Sequence, residues 1–210
     1  MARLVSINVG AAQHIDGYKP LTGIIKTPVQ SAEIGKLGIA GDAICDRKHH
    51  GGPDQAVYIY FADDYRFWAT ELGMRIEPGL FGDNLTIDGV EGRLVAVGDR
   101  FAIGPVLLEV TSHRTPCMTF AARMGDRGFV KRFHRAGRPG AYCRVLEPGK
   151  VERVTTVTYQ PYEGDRVTVA ELMALDGQRQ LDPDFMRKAL NVPIHYKMRD
   201  DYQNKLASLF

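Results

Sequence analysis

The residue in this sequence best placed to do chemistry is Cys117, at the end of the run EVTSHRTPC that covers residues 109 to 117. Thr115 is a good helix cap and Pro116 suits the first helical position, so the spacing predicts a helix that opens there and carries Cys117 in its first turn. The partial positive charge of such a terminus, with Arg114 nearby, favours thiolate over thiol. A thiolate binds soft metals and attacks electrophiles. Against this stands the ordinary fate of a free cysteine, a small buried residue. Cys45 and Cys143 lack that context, and Cys143, inside an apolar strand, reads as core.

Two polar loops could hold a ligand. In Lys48-His49-His50-Gly51-Gly52-Pro53-Asp54, paired glycines let backbone approach closely, while His and Lys offer donors to an oxyanion. It also reads as a tight turn before a strand. In FGDNLT, residues 81 to 86, Asn84 could read a polar ligand edge or merely form an Asx turn.

Charge is the third signal. The chain is nearly neutral, with 27 basic and 25 acidic side chains, which argues against global attraction to nucleic acid or anionic lipid. From His113 to Arg138, however, lie seven basic residues and one acid, so that segment carries +6 and the remainder −4. Most of these arginines read as a solvated helix face. A compact phosphate-bearing ligand, held by one or two of them, is the sharper reading; nucleic acid is third, with no recognised binding motif. Cys117 and Arg123 have the C-x5-R spacing of cysteine phosphatases, but the intervening MTFAA has no glycine and cannot cradle a phosphate. Cys45, His49, His113 and Cys117 have ligand types for tetrahedral zinc without obvious ligand geometry. Neither GxSxG nor GxGxxG occurs.

These residues must be positioned by a mainly β framework. ARLVSINV, GIIKT, QAVYIYF, NLTIDGV, RLVAVGDRFAI, VLLEVTS, AYCRVLE and KVERVTTVTY read as short strands separated by Gly, Pro and Asp. Many such strands predict a closed or strongly bent barrel over residues 1–165. Helices are expected from Asp63 to Leu72, from Thr115 to Met124 and from Phe129 to Phe133. Residues 166–210 form a charge-balanced three-helix extension. It opens at the capping box of Thr168 and Glu171, continues after Asp182-Pro183, and ends with Met198, Tyr202 and Leu206 on one helix face. A length of 210 residues with 44% hydrophobic content supports a real core. An odd three cysteines without CxxC, no apolar run of about 18 residues and no signal-like start predict a cytoplasmic protein.

The motifs GIAGD (38 to 42), HGGPDQAV (50 to 57), FGDNLT, VGD (97 to 99), EVTSHRTPC, GRPGAYCRVL (137 to 146) and PGKV (148 to 151) together resemble a MOSC domain. The tail beginning VTVAEL is similar to the helical extension of the YiiM-like branch. The resemblance implies a strongly bent β-barrel that binds a molybdenum–pterin cofactor through the cysteine at position 117. It implies reduction of N-hydroxylated compounds, such as hydroxylamino purines and amidoximes. On that picture Cys117 is the metal ligand and catalytic residue, and Arg114 and Arg144 are candidates for the pterin phosphate. His50 and Asn84, with Lys48 and Thr86, make further cofactor contacts. The sequence departs from the family pattern at His113, at Asp83, where Glu is usual, and at Met118-Thr119. With no flavin, haem or iron–sulfur motif, a separate electron-donor protein is implied. Two other functions stay open: sulfur transfer through a Cys117 persulfide, and a non-catalytic anion- or cofactor-binding module.

Overall fold

The structure, a computed structural model, describes residues 1–209. Its strands are β1 (Ala2–Val9), β2 (Gln13–Ile15), β3 (Tyr18–Thr22), β4 (Thr27–Val29), β5 (Ser31–Gly35), β6 (Gly38–Ile39), β7 (Val57–Phe61), β8 (Leu85–Asp88), β9 (Arg100–Ile103), β10 (Val106–His113), β11 (Ala141–Glu147), β12 (Gly149–Glu152) and β13 (Thr156–Gln160). The helices are α1 (Ala62–Leu72), α2 (Met118–Met124), α3 (Phe129–Ala136), α4 (Val169–Ala174), α5 (Pro183–Leu190) and α6 (Tyr196–Ala207).

Seven strands close a mainly β barrel in the order β1, β8, β7, β11, β10, β9, β13. Closure comes from β13, which pairs with β9 at Val157 and Ile103 and with β1 at Val157 and Ala2. Only the β7–β8 pair of this barrel is parallel. Of the shorter strands, β4 extends the sheet beside β1, β2 and β3 form a hairpin, and β12, β5 and β6 form a small separate sheet.

Strand β7 shows how the sequence builds two cores. All five of its residues are buried, as a strand covered on both faces requires. Val57, Ile59 and Phe61 point into the barrel with Leu4, Leu85, Phe101, Val110 and Cys143. Tyr58 and Tyr60 point outward into an aromatic layer with Tyr65, Trp68, Phe81, Phe120, Phe129 and Phe133, which carries α1, α2 and α3. Ring centroids there lie 4.8 to 6.3 Å apart, many edge-on, the geometry that the aromatic quadrupole favours. Each helix of this layer ends on a left-handed glycine, Gly73, Gly125 and Gly137.

The tail builds as its sequence dictates. The reciprocal capping box of Thr168 and Glu171 opens α4, and Asp182 caps α5 with Pro183 behind it. Leu172, Met186, Ala189, Val192, Ile194 and Tyr202 make a third core with Val97. Val169 reaches the barrel interior, so the tail is packed onto the barrel, not tethered to it.

Four expectations need correction. GIIKT is a loop that reaches a strand only at Thr27, and of RLVAVGDRFAI only the last four residues are strand. The buried Asp99 carboxylate accepts bonds from the Ala96 and Tyr162 amides and turns the chain before it. KVERVTTVTY splits between two sheets at Val154, whose φ is 66°. The helix expected from Thr115 begins at Met118, leaving Thr115 to Cys117 before it.

Gly140 sets the close approach of the chain entering β11 to β7. Its φ is +67°, and an added Cβ would lie 2.6 Å from the Ile59 carbonyl oxygen and 2.7 Å from the Tyr60 ring. Gly140→Ala is therefore expected to destabilise the fold by at least about 2 kcal/mol, strain and clash together. Urea unfolding checks this; an unchanged midpoint contradicts it.

Candidate active site

The outward faces of β7 and β11, the β2–β3 hairpin and the loops around residues 23–26 and 42–51 enclose a cavity of about 620 Å³. Cys117, Arg114, His50, Asn84, Tyr58, Tyr142, Lys26, Asp42 and Cys45 are in its wall.

Cys117 is the residue before α2, in extended conformation with φ −126°. It sits at the rim of the aromatic layer, half-buried. Burial by itself would raise its thiol pKa. A hydrogen bond with His50, the charge of Arg114 and the Phe120 amide outweigh this and hold it at about 6. The thiolate is thus the main form at neutral pH; Cys117 stands at the N-cap of α2 and not inside its first turn, and the Phe120 amide of that turn is one of the groups that stabilise it.

Arg114 is 5% exposed. Its guanidinium carbon lies 4.0 Å from the Phe120 ring centroid and 5.4 Å from that of Tyr58. Burial lowers its pKa, but Tyr58, Tyr142 and Cys117 more than compensate and keep it cationic. No carboxylate among the described residues pairs with it, and its Nη1 has no hydrogen-bond partner. A buried guanidinium donor without an acceptor is costly, which makes this nitrogen a candidate donor to an anionic ligand.

Asn84 works differently from the sequence expectation. Its Oδ1 accepts from the Tyr58 amide at 3.1 Å, and its Nδ2 donates to Asp42 Oδ2 at 2.9 Å and the Asn8 carbonyl at 3.4 Å. All its polar atoms brace the wall. Asp42 in turn accepts from the Gly10 amide and is ion-paired with Lys26, both partners more than nine-tenths buried.

Three expected residues lie outside the wall. Arg144 is on the same side of β11 as Tyr142, but it ion-pairs with Asp54 at 3.1 Å and Glu109 at 3.5 Å and donates to the Pro193 carbonyl. It ties the barrel to the tail. Thr86 is buried and donates to Asp83 Oδ2 at 2.6 Å. Lys48 is exposed, and its carbonyl accepts from Lys197. The zinc set is not assembled: His49 is exposed and bonds Asp46, and His113 turns toward Asp176. Cys143 lies inside the barrel, where burial pushes its thiol up.

Sequence reasoning missed Lys26, Asp42, Tyr58, Tyr142 and Asp176, and gave Cys45 only a place in the zinc set. Asp42 did stand in a motif; Lys26 had no signal, because its partner is 16 residues away across a loop. Asp176, at the end of α4, bonds His113 Nε2 at 3.0 Å through one oxygen and accepts from Thr115 Oγ1 at 2.9 Å through the other. The tail therefore grips the residues on either side of Arg114, three positions before Cys117. Burial pushes the Asp176 carboxyl up, but His113 and Thr115 overcome this and hold it below the usual value.

A MOSC domain model matches residues 46–158, just over half of the chain. The chain belongs to the MOSC domain family. It is 30% identical over 191 residues to protein YiiM of Escherichia coli, covering 89% of this chain and 84% of that protein. A protein named reductase from Gibberella moniliformis is 27% identical over 175 residues, which are 81% of this chain but only 31% of that protein. The crystal structure of YiiM from Geobacillus stearothermophilus superposes with a TM-score of 0.81 at 26% identity, covering 98% of this chain and all of that one. The MOSC-type barrel and the YiiM-like branch are thus shown.

Two outcomes follow from the geometry. Alkylation of Cys117 by iodoacetamide at pH 7 should slow about tenfold in Arg114→Gln, whose loss removes thiolate stabilisation; an unchanged rate contradicts the assignment. Asp176→Ala should cost about 2 kcal/mol, the usual penalty for breaking a buried pair discounted for the partial exposure of Asp176. Because the folded carboxyl pKa is depressed, this contribution is present above the ordinary carboxylate range and disappears as pH falls through the folded value. Unfolding midpoints of wild type and variant at neutral and acid pH should therefore converge on acidification.

Proposed function

We propose that this cavity takes a molybdenum–pterin cofactor, with Cys117 as protein ligand to the metal. On this reading the protein reduces small N-hydroxylated compounds with electrons from a separate donor protein. One observation carries the reading: a thiol ionised near neutrality shares a wall with a buried arginine whose Nη1 lacks an acceptor. A soft anionic ligand stands beside a cation suited to phosphate, which is the donor set such a cofactor needs. The cavity volume is in the ordinary range for a cofactor cleft. Membership of the MOSC family supports a molybdenum-cofactor role, and the relative named a reductase supports the class of chemistry.

When bound, the cofactor supplies the oxygen-atom and two-electron chemistry; the protein supplies binding, orientation and protons. Arg114 holds the phosphate, its guanidinium already stacked on Phe120 and so fixed in direction. Arg144, committed to Asp54 and Glu109, takes no part. Cys117 Sγ arrives deprotonated, so no proton need be expelled when the metal is ligated. His50, the one imidazole in the wall among the described residues, would, with the sulfur engaged by the metal, be the group able to pass a proton from its ring nitrogen to the substrate's leaving oxygen. Burial raises the pKa of both Tyr58 and Tyr142, so both phenols stay neutral; the Tyr58 hydroxyl already donates to the Pro139 carbonyl, which leaves Tyr142 as the donor. The net change converts R–NHOH, two electrons and two protons into R–NH2 and water.

Protein made in a host that synthesises the cofactor should contain about one molybdenum per chain. Cys117→Ser should lose the metal and at least about a hundredfold of benzamidoxime reduction. Full activity without metal contradicts the proposal, and so does a labile persulfide on Cys117 in protein that takes up no molybdenum.

A further inference from the structure

The sequence places +6 between His113 and Arg138, and the cavity uses only Arg114 of it. The structure disposes of three more: Arg138 pairs with Asp64, Arg132 pairs with Asp126, and Arg123 is half-buried. Arg127, Lys131 and Arg135 remain. All three are exposed, they recur every fourth residue, and none has an ion-pair partner among the described residues. Lys131 and Arg135 therefore share one face of α3, with Arg127 in the turn before it.

That face lies directly behind the site. The opposite side of α3 presents Phe129 and Phe133, whose rings stand 5.3 and 4.9 Å from Phe120. Phe120 is the ring beneath Arg114, and Cys117 packs against the same aromatic layer. One helix and one layer of rings thus separate the basic face from the cavity. The neighbouring helix α1 does little to neutralise it, because Asp63 is taken by Arg66 and Asp64 by Arg138, leaving Glu71.

We propose that the exposed face of α3 is the docking surface for a small acidic electron-carrier protein. This rests on the reductase reading and names the partner of that same site. Three uncompensated cations, two on one short helix and one in the turn before it, attract a compact acidic surface and steer its approach. A nucleic acid would be drawn less, since it extends beyond the patch over a remainder that carries −4. In the reaction served, two electrons leave the reduced carrier, one or two carriers being oxidised. With two protons they break the N–O bond of R–NHOH, giving R–NH2 and water.

The test compares cofactor-loaded wild type with the variant R127E/K131E/R135E. Benzamidoxime reduction is driven either by flavodoxin or plant-type ferredoxin, each kept reduced by its NADPH-dependent reductase, or by reduced methyl viologen. The viologen-driven rate should stay within about twofold, while the carrier-driven rate falls at least about tenfold, chiefly through a higher KM for the carrier. In wild type, added salt should slow only the carrier-driven reaction. The proposal is overturned if wild type accepts electrons from neither carrier, or if the variant keeps its carrier-driven rate. Loss of single-stranded oligonucleotide binding alongside an unchanged carrier-driven rate overturns it too, and marks a nucleic-acid surface. If wild type shows no viologen-driven turnover, the reductase reading itself has failed, and this proposal falls with it.

Discussion

A guanidinium buried without a carboxylate is the constraint around which this molecule is arranged. Arg114 is 5% exposed and one of its nitrogens has no acceptor. The penalty for burying an unpaired cation is met in part by the rings beneath it and in part by the nearby thiolate of Cys117. The two groups support each other: the cation makes the sulfur acidic, and the sulfur makes the cation tolerable. What is left unsatisfied is one donor, at Nη1.

The barrel makes this arrangement possible by having two apolar faces. Because β7 alternates Val57, Ile59 and Phe61 inward with Tyr58 and Tyr60 outward, the barrel can pack an interior and still seat three helices on an aromatic layer. Those helices bring Phe120 under Arg114. From the other side the tail reaches in with one carboxylate, Asp176, and fixes His113 and Thr115. The segment carrying both functional groups is therefore held between two packed bodies, which keeps a short, proline-containing stretch in a single conformation.

The parts of this legible in the sequence were those decided locally. ARLVSINV and AYCRVLE become strands over their whole length, and the tail helices start where Thr168 and Asp182 cap them. The parts that were not legible depend on partners far along the chain. Thr115 looks like a cap, but its hydroxyl is claimed by Asp176, 61 residues on, and the helix starts late. Arg144 looks like a free cation until Asp54 and Glu109 are folded against it. Lys26 carries no pattern at all and becomes part of the wall only through Asp42. Cys117 was singled out at the terminus of a helix that starts later than expected, so it is the N-cap and not a first-turn residue, and beside the right neighbour, Arg114. The short β2–β3 hairpin, largely exposed and polar, has little hydrophobic alternation by which to announce itself.

The most direct examination of the central claim is an ultraviolet titration of thiolate absorbance in metal-free protein, taken as the difference between wild type and Cys117→Ser. A single step centred near pH 6 is the result that the Arg114–Cys117–His50 arrangement requires. A step at the ordinary thiol value of about 8.5 would show that the buried cation does not govern the sulfur, and the account of the site would not stand.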